Sequence, residues 1–214
     1  MVKKAIFFDL DGTLTDSGEG IMNCAALALE HFGLPVPDRE QMRVFVGPPL
    51  DQTFIRFGVP ADQTDEAIAV FRSRYRTVGK FENFPYPGIR ETLQTLKEQG
   101  HRLFVATSKP EVLANEVLNH FDLARYFEQI AGATLDGSRS HKADVITYLL
   151  GLTGDVGQTL MVGDTAFDVI GAAAHNIPCV GVAWGYGKVE DMENAGAAFI
   201  AESVENLQYI LENQ

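Results

Sequence analysis

Between Ala5 and Ser17 the chain reads AIFFDLDGTLTDS. A short apolar run stops at two aspartates separated by one residue. A glycine, two hydroxyl residues, a third aspartate and a serine follow within six positions. The run reads as a strand, and residues two apart on an extended chain point to the same side. Asp9 and Asp11 therefore face one pocket at the strand's end, one placed to attack and one to move a proton. Gly12 permits the sharp turn just beyond them. A bare Asp-x-Asp is also ordinary turn chemistry. A calcium loop starting at Asp9 would need glycine at its sixth position and glutamate at its twelfth. Leu14 and Gly20 stand there, which excludes it. The oxygen-rich pocket that remains suits magnesium and phosphate better than a softer metal.

Four further β-like runs follow: Arg102–Thr107, Phe127–Ala131, Thr159–Val162 and Pro178–Val182. Helical patterns separate most of them. Residues Pro87–Gln99 stop before Gly100, Pro110–His120 carry proline at the first turn, Ser140–Leu150 stop before Gly151, and Thr165–His175 are rich in alanine. Strands alternating with helices predict an α/β fold, a parallel sheet covered by helices on both faces. Ligands of such sheets bind beyond the carboxyl ends of the strands.

Residues 16–83 break the rhythm. Ser17–Phe32 carry an apolar stripe at Ile21, Ala25, Leu29 and Phe32, with Asp16 or Ser17 as the cap. Asp38–Val46, Leu50–Phe57 and Ala61–Val78 also read as helices. The expectation is an all-α insertion, residues 16–83, in a core built from 1–15 and 84–214. Val204–Glu212 reads as a closing helix.

The formal net charge of −12 argues against binding nucleic-acid polymers or anionic membranes through the overall field. It also requires a phosphate site to create its own positive potential. A hydrophobic content of 46% excludes a disordered chain. Cys24 and Cys179 lie far apart with no Cys-x-x-Cys, and read as buried small hydrophobes. Lys3 and Lys4 precede only four apolar residues, so no leader is expected and the cytoplasm is the expected location.

Four motifs fall in order at strand ends. The first is Asp9-x-Asp11. The second is Thr107-Ser108-Lys109, where a hydroxyl can donate to a phosphoryl oxygen or simply cap the next helix. The third is Lys142 in the first turn of a helix, where a cation opposes the helix dipole and invites a reason. The fourth is Gly163-Asp164-x-x-x-Asp168, whose carboxylates stand one helical turn apart and can face one site.

In order and spacing these motifs resemble the haloacid dehalogenase superfamily of phosphohydrolases. The likeness runs from Lys4 to about Val182 and includes the helical insertion. It implies a Rossmann-like core with a helical cap of the first type. It implies Asp9 as nucleophile, and Asp11 as the acid that protonates the leaving oxygen and later deprotonates water. It implies Mg²⁺ held by Asp9, the Asp11 carbonyl, Asp164 and Asp168, the last directly or through water. Gly12, Thr107, Ser108 and Lys142 would hold the phosphate, with Thr107 and Lys142 also stabilising the transferring oxygens. An aspartate at position 11 resembles the phosphatases and mutases, since dehalogenases lack it and need no metal.

Thr13–Ser17, the Val46–Leu50 loop and Asp136–Lys142 look closest to a branch labelled phosphoglycolate phosphatase or 5′-nucleotidase. That implies a small phosphorylated metabolite as partner, with Gly47, Arg43 and Lys109 as substrate contacts, in a monomer or homodimer. Two other readings stay open: a sugar phosphomutase using the same residues, and a catalytically silent regulatory binding protein. Trp184-Gly185-Tyr186-Gly187 either shapes the rim of the site or packs on the core. A nucleotide-dependent kinase has no GxxxxGK[ST] loop to support it.

Overall fold

The computed structural model describes residues 3–154 and 156–213. In chain order its elements are strands β1 (Ala5–Phe8) and β2 (Thr15–Asp16), then helices α1 (Gly18–His31), α2 (Arg39–Met42), α3 (Leu50–Arg56) and α4 (Thr64–Tyr75). Strand β3 (Phe84–Pro85), α5 (Ile89–Glu98), β4 (Arg102–Pro110), α6 (Glu111–His120), β5 (Gln129–Ala133) and α7 (Lys142–Thr153) follow. The chain closes with β6 (Thr159–Gly163), α8 (Ala166–Ala173), β7 (Cys179–Val182), α9 (Val189–Asn194), β8 (Phe199–Ala201) and α10 (Val204–Asn213). It divides into two compact units, one of Met1–Thr15 with Pro85–Gln214 and one of Asp16–Phe84.

The larger unit is α/β. Six strands pair in the order β5-β4-β1-β6-β7-β8, all in parallel. Parallel strands buried on both faces are continuous hydrophobic runs, and β1, Ala-Ile-Phe-Phe, is buried throughout. Its side chains alternate between two cores. Ile6 and Phe8 join residues of α5, α6 and α10 on one face, whereas Ala5 and Phe7 join residues of α7, α8 and α9 on the other. Phe7 meets Phe104 edge-on at 5.4 Å between ring centroids. Burying each such ring contributes about 1.5–3 kcal/mol. The strand order reverses direction beside β1, between β1 and β6, and ligands of open α/β sheets bind at such a reversal. The chain segments leaving β1 and β6 carry Asp9 and Asp164.

The smaller unit is helical, built on α1 to α4 with short 3₁₀ turns. Phe45, Phe54, Phe71 and Tyr75 form its aromatic core, with Phe71 and Tyr75 stacked at 5.3 Å. Asp38 caps α2 by accepting the Gln41 N–H at 2.9 Å.

Several boundaries differ from the sequence expectation for local reasons. The fifth strand lies two residues later than Phe127–Ala131, because Ala124–Tyr126 wind into a 3₁₀ turn that buries Tyr126. Pro110 ends β4 instead of opening α6; its ψ of 128° is extended. Helix α7 begins at Lys142, since His141 is still extended, and it runs through Gly151 to Thr153. Strand β8 was not expected, its three residues being too short for a periodic signal. Among the described residues no helix is long and apolar enough to cross a membrane.

Candidate active site

Asp9 and Asp164 directly follow β1 and β6, Thr107 lies in the last part of β4, and Lys142 and Asp168 stand in the first turns of α7 and α8. Asp9 leaves the buried strand β1, and Asp11 follows in a tight loop. In that loop the N–H groups of Thr13, Leu14 and Thr15 all donate to the Leu10 carbonyl. Gly12 adopts φ +83°, and a Cβ there would lie 2.2 Å from Asp164 Oδ2. The glycine is thus required twice, by conformation and by the approach of Asp164.

Asp9, Asp164 and Asp168 each offer a carboxylate oxygen within 4.8 Å of the others, and all three are buried. Lys142 is buried among them. Its Nζ lies 2.8 Å from Asp9 Oδ1 and 2.6 Å from Asp168 Oδ1, and donates to the Ala106 carbonyl at 2.9 Å. The two carboxylate contacts are ionic but poorly directed: neither Asp9 Oδ1 nor Asp168 Oδ1 accepts a well-aligned hydrogen bond. The awkward first-turn lysine of α7 is explained by these carboxylates, which outweigh the helix dipole.

Asp164 and Asp168 converge differently from the expected helical turn. Helix α8 begins only at Ala166, and Thr165 is its N-cap. Asp168 is the third helical residue of a capping box. Its Oδ2 accepts the Thr165 N–H at 3.0 Å and the Thr165 hydroxyl at 2.8 Å. Gly163 lets it come this close, since a Cβ there would lie 2.3 Å from the Asp168 Cβ. Asp164 stands before the helix, its Oδ2 accepting the Tyr186 N–H at 2.8 Å.

The charges do not balance. Three buried carboxylates face one ammonium. Burial, opposed by Lys142 and reinforced by Asp168, pushes Asp9 up to about 6. Burial, reinforced by Asp168 and Asp9, raises Asp164 well above the usual carboxylate range. Burial also works against the charge on Lys142, but Asp168 and Asp9 outweigh it and hold the lysine above its ordinary value. A cluster of hard oxygen donors with excess negative charge and underused oxygens fits a small divalent cation.

Thr107 is fully buried at the end of β4, and its Oγ1 accepts the Lys109 N–H at 3.2 Å. Ser108 is exposed. Lys109, expected as a substrate contact, has its Nζ 2.9 Å from both oxygens of Asp11, in a pair largely shut off from water. Arg43 and Gly47 belong to the helical unit, Arg43 in a 3₁₀ turn and Gly47 with φ +103° in the loop behind it; both are exposed.

Sequence reasoning singled out Trp184-Gly185-Tyr186-Gly187 but not its contacts with the site. Trp184 Nε1 donates to the Thr13 carbonyl at 3.2 Å. A Cβ on Gly185 would lie 2.3 Å from the Asp164 Cβ, and one on Gly187 would lie 2.1 Å from the Asp164 carbonyl oxygen. The Trp-Gly-Tyr-Gly segment therefore packs on the Asp164 backbone and side chain. Two glycines bracketing an aromatic residue, directly after a strand, were the available signal. Arg139 was also missed. It bonds Glu111 Oε2 at 2.8 Å and the Gly132 carbonyl at 2.7 Å, tying down the loop that leads to Lys142.

Residues 6–182 match the sequence pattern of the family described as haloacid dehalogenase-like hydrolase. The chain belongs to that family. A 5′-nucleotidase of Pseudomonas aeruginosa is 39% identical over 210 residues, covering 97% of this chain and 95% of the relative. The tyrosine-protein kinase PtkA of Mycobacterium tuberculosis is 41% identical over 199 residues, 92% of this chain and 68% of that protein. A crystal structure of a predicted phosphatase from Clostridium acetobutylicum superposes with a TM-score of 0.94 at 40% identity, covering 100% of both chains. Within this haloacid dehalogenase-like hydrolase the aspartates sit where β1 and β6 end, at the reversal of the sheet.

Proposed function

We propose that this chain, a phosphoric monoester hydrolase of the haloacid dehalogenase-like family, cleaves a small phosphomonoester through an aspartyl-phosphate on Asp9, with Mg²⁺ in its site. The observation that carries the reading is the cluster of Asp9, Asp164 and Asp168 around the Lys142 ammonium. Asp9, the Asp11 carbonyl and Asp164 would hold the metal, with Asp168 nearby. Both Asp168 oxygens are engaged, one by Lys142 and one by Thr165, which favours contact through water. A bound Mg²⁺ neutralises carboxylate and phosphate charge, so that an anion can approach an anion.

Asp9 attacks phosphorus, and the bond from phosphorus to the ester oxygen breaks. That oxygen takes its proton from Asp11 as it leaves. Asp11 then accepts a proton from water while the water oxygen attacks phosphorus. The bond to Asp9 breaks, releasing phosphate and the original carboxylate. Lys142, Thr107 and the backbone at Ser108 hold the transferring oxygens, where charge is greatest in the transition state. Gly12 serves as the turn, its N–H already donating to the Thr15 carbonyl at 2.8 Å.

The helical unit, residues 16–83, is read as a substrate-selecting cap on the core of 1–15 and 84–214, with Arg43 and Gly47 its candidate contacts. Phosphoglycolate and nucleoside 5′-monophosphates lead the substrate list. The functional assignment is tested by a panel of phosphorylated metabolites with Mg²⁺, with Asp9→Asn as control and free phosphate as readout. Phosphate release that vanishes in Asp9→Asn and in excess chelator supports it. Phosphate release unchanged in Asp9→Asn overturns the mechanism, activity surviving chelator overturns the metal, and transfer to a protein tyrosine in place of water moves the reading toward the kinase relative.

A further inference from the structure

We propose that Lys109 is a positioning residue that aims the Asp11 carboxylate; the proposal rests on the reading of Asp11 as the proton-transfer group. The strand prepares this placement. β4 pairs with β5 up to Thr107 opposite Gly132, then slips before resuming at Pro110 opposite Ala133. Ser108 and Lys109 fall in the slip. The Lys109 backbone is fixed on two sides: its N–H donates to Thr107 Oγ1 at 3.2 Å, and its carbonyl lies where a Cβ on Gly132 would be 2.5 Å away. No larger residue at 132 would allow that approach.

From this fixed backbone the side chain runs inward, 3% exposed, to Asp11, whose side chain is 15% exposed. Its Nζ is 2.9 Å from Oδ1 and 2.9 Å from Oδ2. An ammonium equidistant from both oxygens lies in the plane that bisects the carboxylate and restrains both oxygens at once, which a contact to one oxygen would not. Shielded from water, such charge-assisted contacts are strong. Lysine has no acceptor, so Lys109 takes no proton from Asp11. It supplies orientation, and poorly oriented acids lose much of their effect.

A positioning role predicts a dependence on the leaving group. An alkoxide leaves poorly without a proton, whereas p-nitrophenolate leaves unaided. The experiment measures kcat and KM for wild type, Lys109→Met, Asp11→Asn and the double variant. The substrates are p-nitrophenyl phosphate and the best-hydrolysed alkyl ester among phosphoglycolate and nucleoside 5′-monophosphates. Lys109→Met is expected to lower kcat on the alkyl ester on the order of 10²-fold, the lower end of what a general acid contributes. It should change kcat/KM on p-nitrophenyl phosphate, which reports only formation of the aspartyl-phosphate with a leaving group that needs no proton, by less than about threefold; kcat on that substrate falls only as far as the Asp11-assisted hydrolysis of the intermediate limits turnover. In the Asp11→Asn background it should add less than about twofold, because residues acting through one group are not additive. Lys109→Gln keeps a donor at similar reach; it should show an intermediate loss with the same pattern, and it replaces Lys109→Met if that variant does not fold. An increase in KM on both substrates, persisting in Asp11→Asn, would restore Lys109 as a substrate contact and overturn the proposal. Full loss in Asp11→Asn with an independent, multiplicative loss from Lys109→Met also overturns it while leaving Asp11 in its role. Asp11→Asn without effect on the alkyl ester overturns the reading of Asp11 itself.

Discussion

The Tyr186 backbone N–H donates to Asp164 Oδ2 at 2.8 Å, joining the loop after β7 to a carboxylate of the site. Gly185 and Gly187 flank the donor and leave no room for a Cβ against Asp164. Gly185→Ala and Gly187→Ala are therefore expected to displace Asp164 and to destabilise the protein by about 1–3 kcal/mol, the usual cost of overpacking. Isothermal calorimetry with Mg²⁺ alone should show weaker binding in both variants, and urea unfolding should show the lost stability.

Gly151 is the counter-case. It lies inside α7, it is not among the positive-φ glycines, and a Cβ there would meet nothing within 4 Å. Gly151→Ala should stabilise the protein by about 0.5–1 kcal/mol through helix propensity. Urea unfolding in parallel with Gly185→Ala should give shifts of opposite sign.

Lys142 pairs with two carboxylates of a buried cluster of three, Asp9, Asp164 and Asp168. Lys142→Met leaves their charge uncompensated, and breaking a buried pair costs about 3–5 kcal/mol. In chelator, unfolding at pH 7.5 should show a loss of that order. The loss should shrink toward pH 5, where the carboxylates take up protons. Activity should fall about 10²-fold or more, as when a donor to the transferring oxygens is removed.

Asp9 gives the sign of the pH dependence. Its carboxyl is raised from 3.8 to about 6 in the folded protein, chiefly by burial. Between those values the folded state holds a proton that the unfolded chain has released, so rising pH destabilises the metal-free fold. Above about 6 the penalty is complete, and below 3.8 it is absent. Metal-free Asp9→Asn, which lacks this penalty, should be more stable than wild type at pH 7.5, on the order of 3 kcal/mol. The gap should close as pH falls toward 4. Mg²⁺ should narrow or reverse it, since the ion binds the anionic carboxylate. Thermal unfolding across pH, with and without Mg²⁺, reads this directly.

The parallel sheet was legible because its interior strands are unbroken apolar runs such as Ala5–Phe8, and helical stripes with glycine stops separate them. β8 was not legible, being three residues at the sheet's edge. The positions of Asp9, Asp164, Asp168 and Lys142 around one point followed from four motifs at strand ends. What holds them did not. The Lys109 contact with Asp11 and the Tyr186 N–H to Asp164 depend on how loops distant in sequence meet. Periodicity says nothing of such meetings. Gly12, Gly163, Gly185 and Gly187 marked where the chain comes close, but a glycine does not say to what.

The stereochemical course at phosphorus tests the central claim most directly. A substrate carrying an isotopically chiral phosphoryl group, turned over into an alcohol acceptor, reports whether transfer occurs in one displacement or two. A covalent intermediate on Asp9 makes two in-line displacements, each inverting, and predicts overall retention of configuration. Overall inversion, the outcome of a single direct attack, would contradict the account.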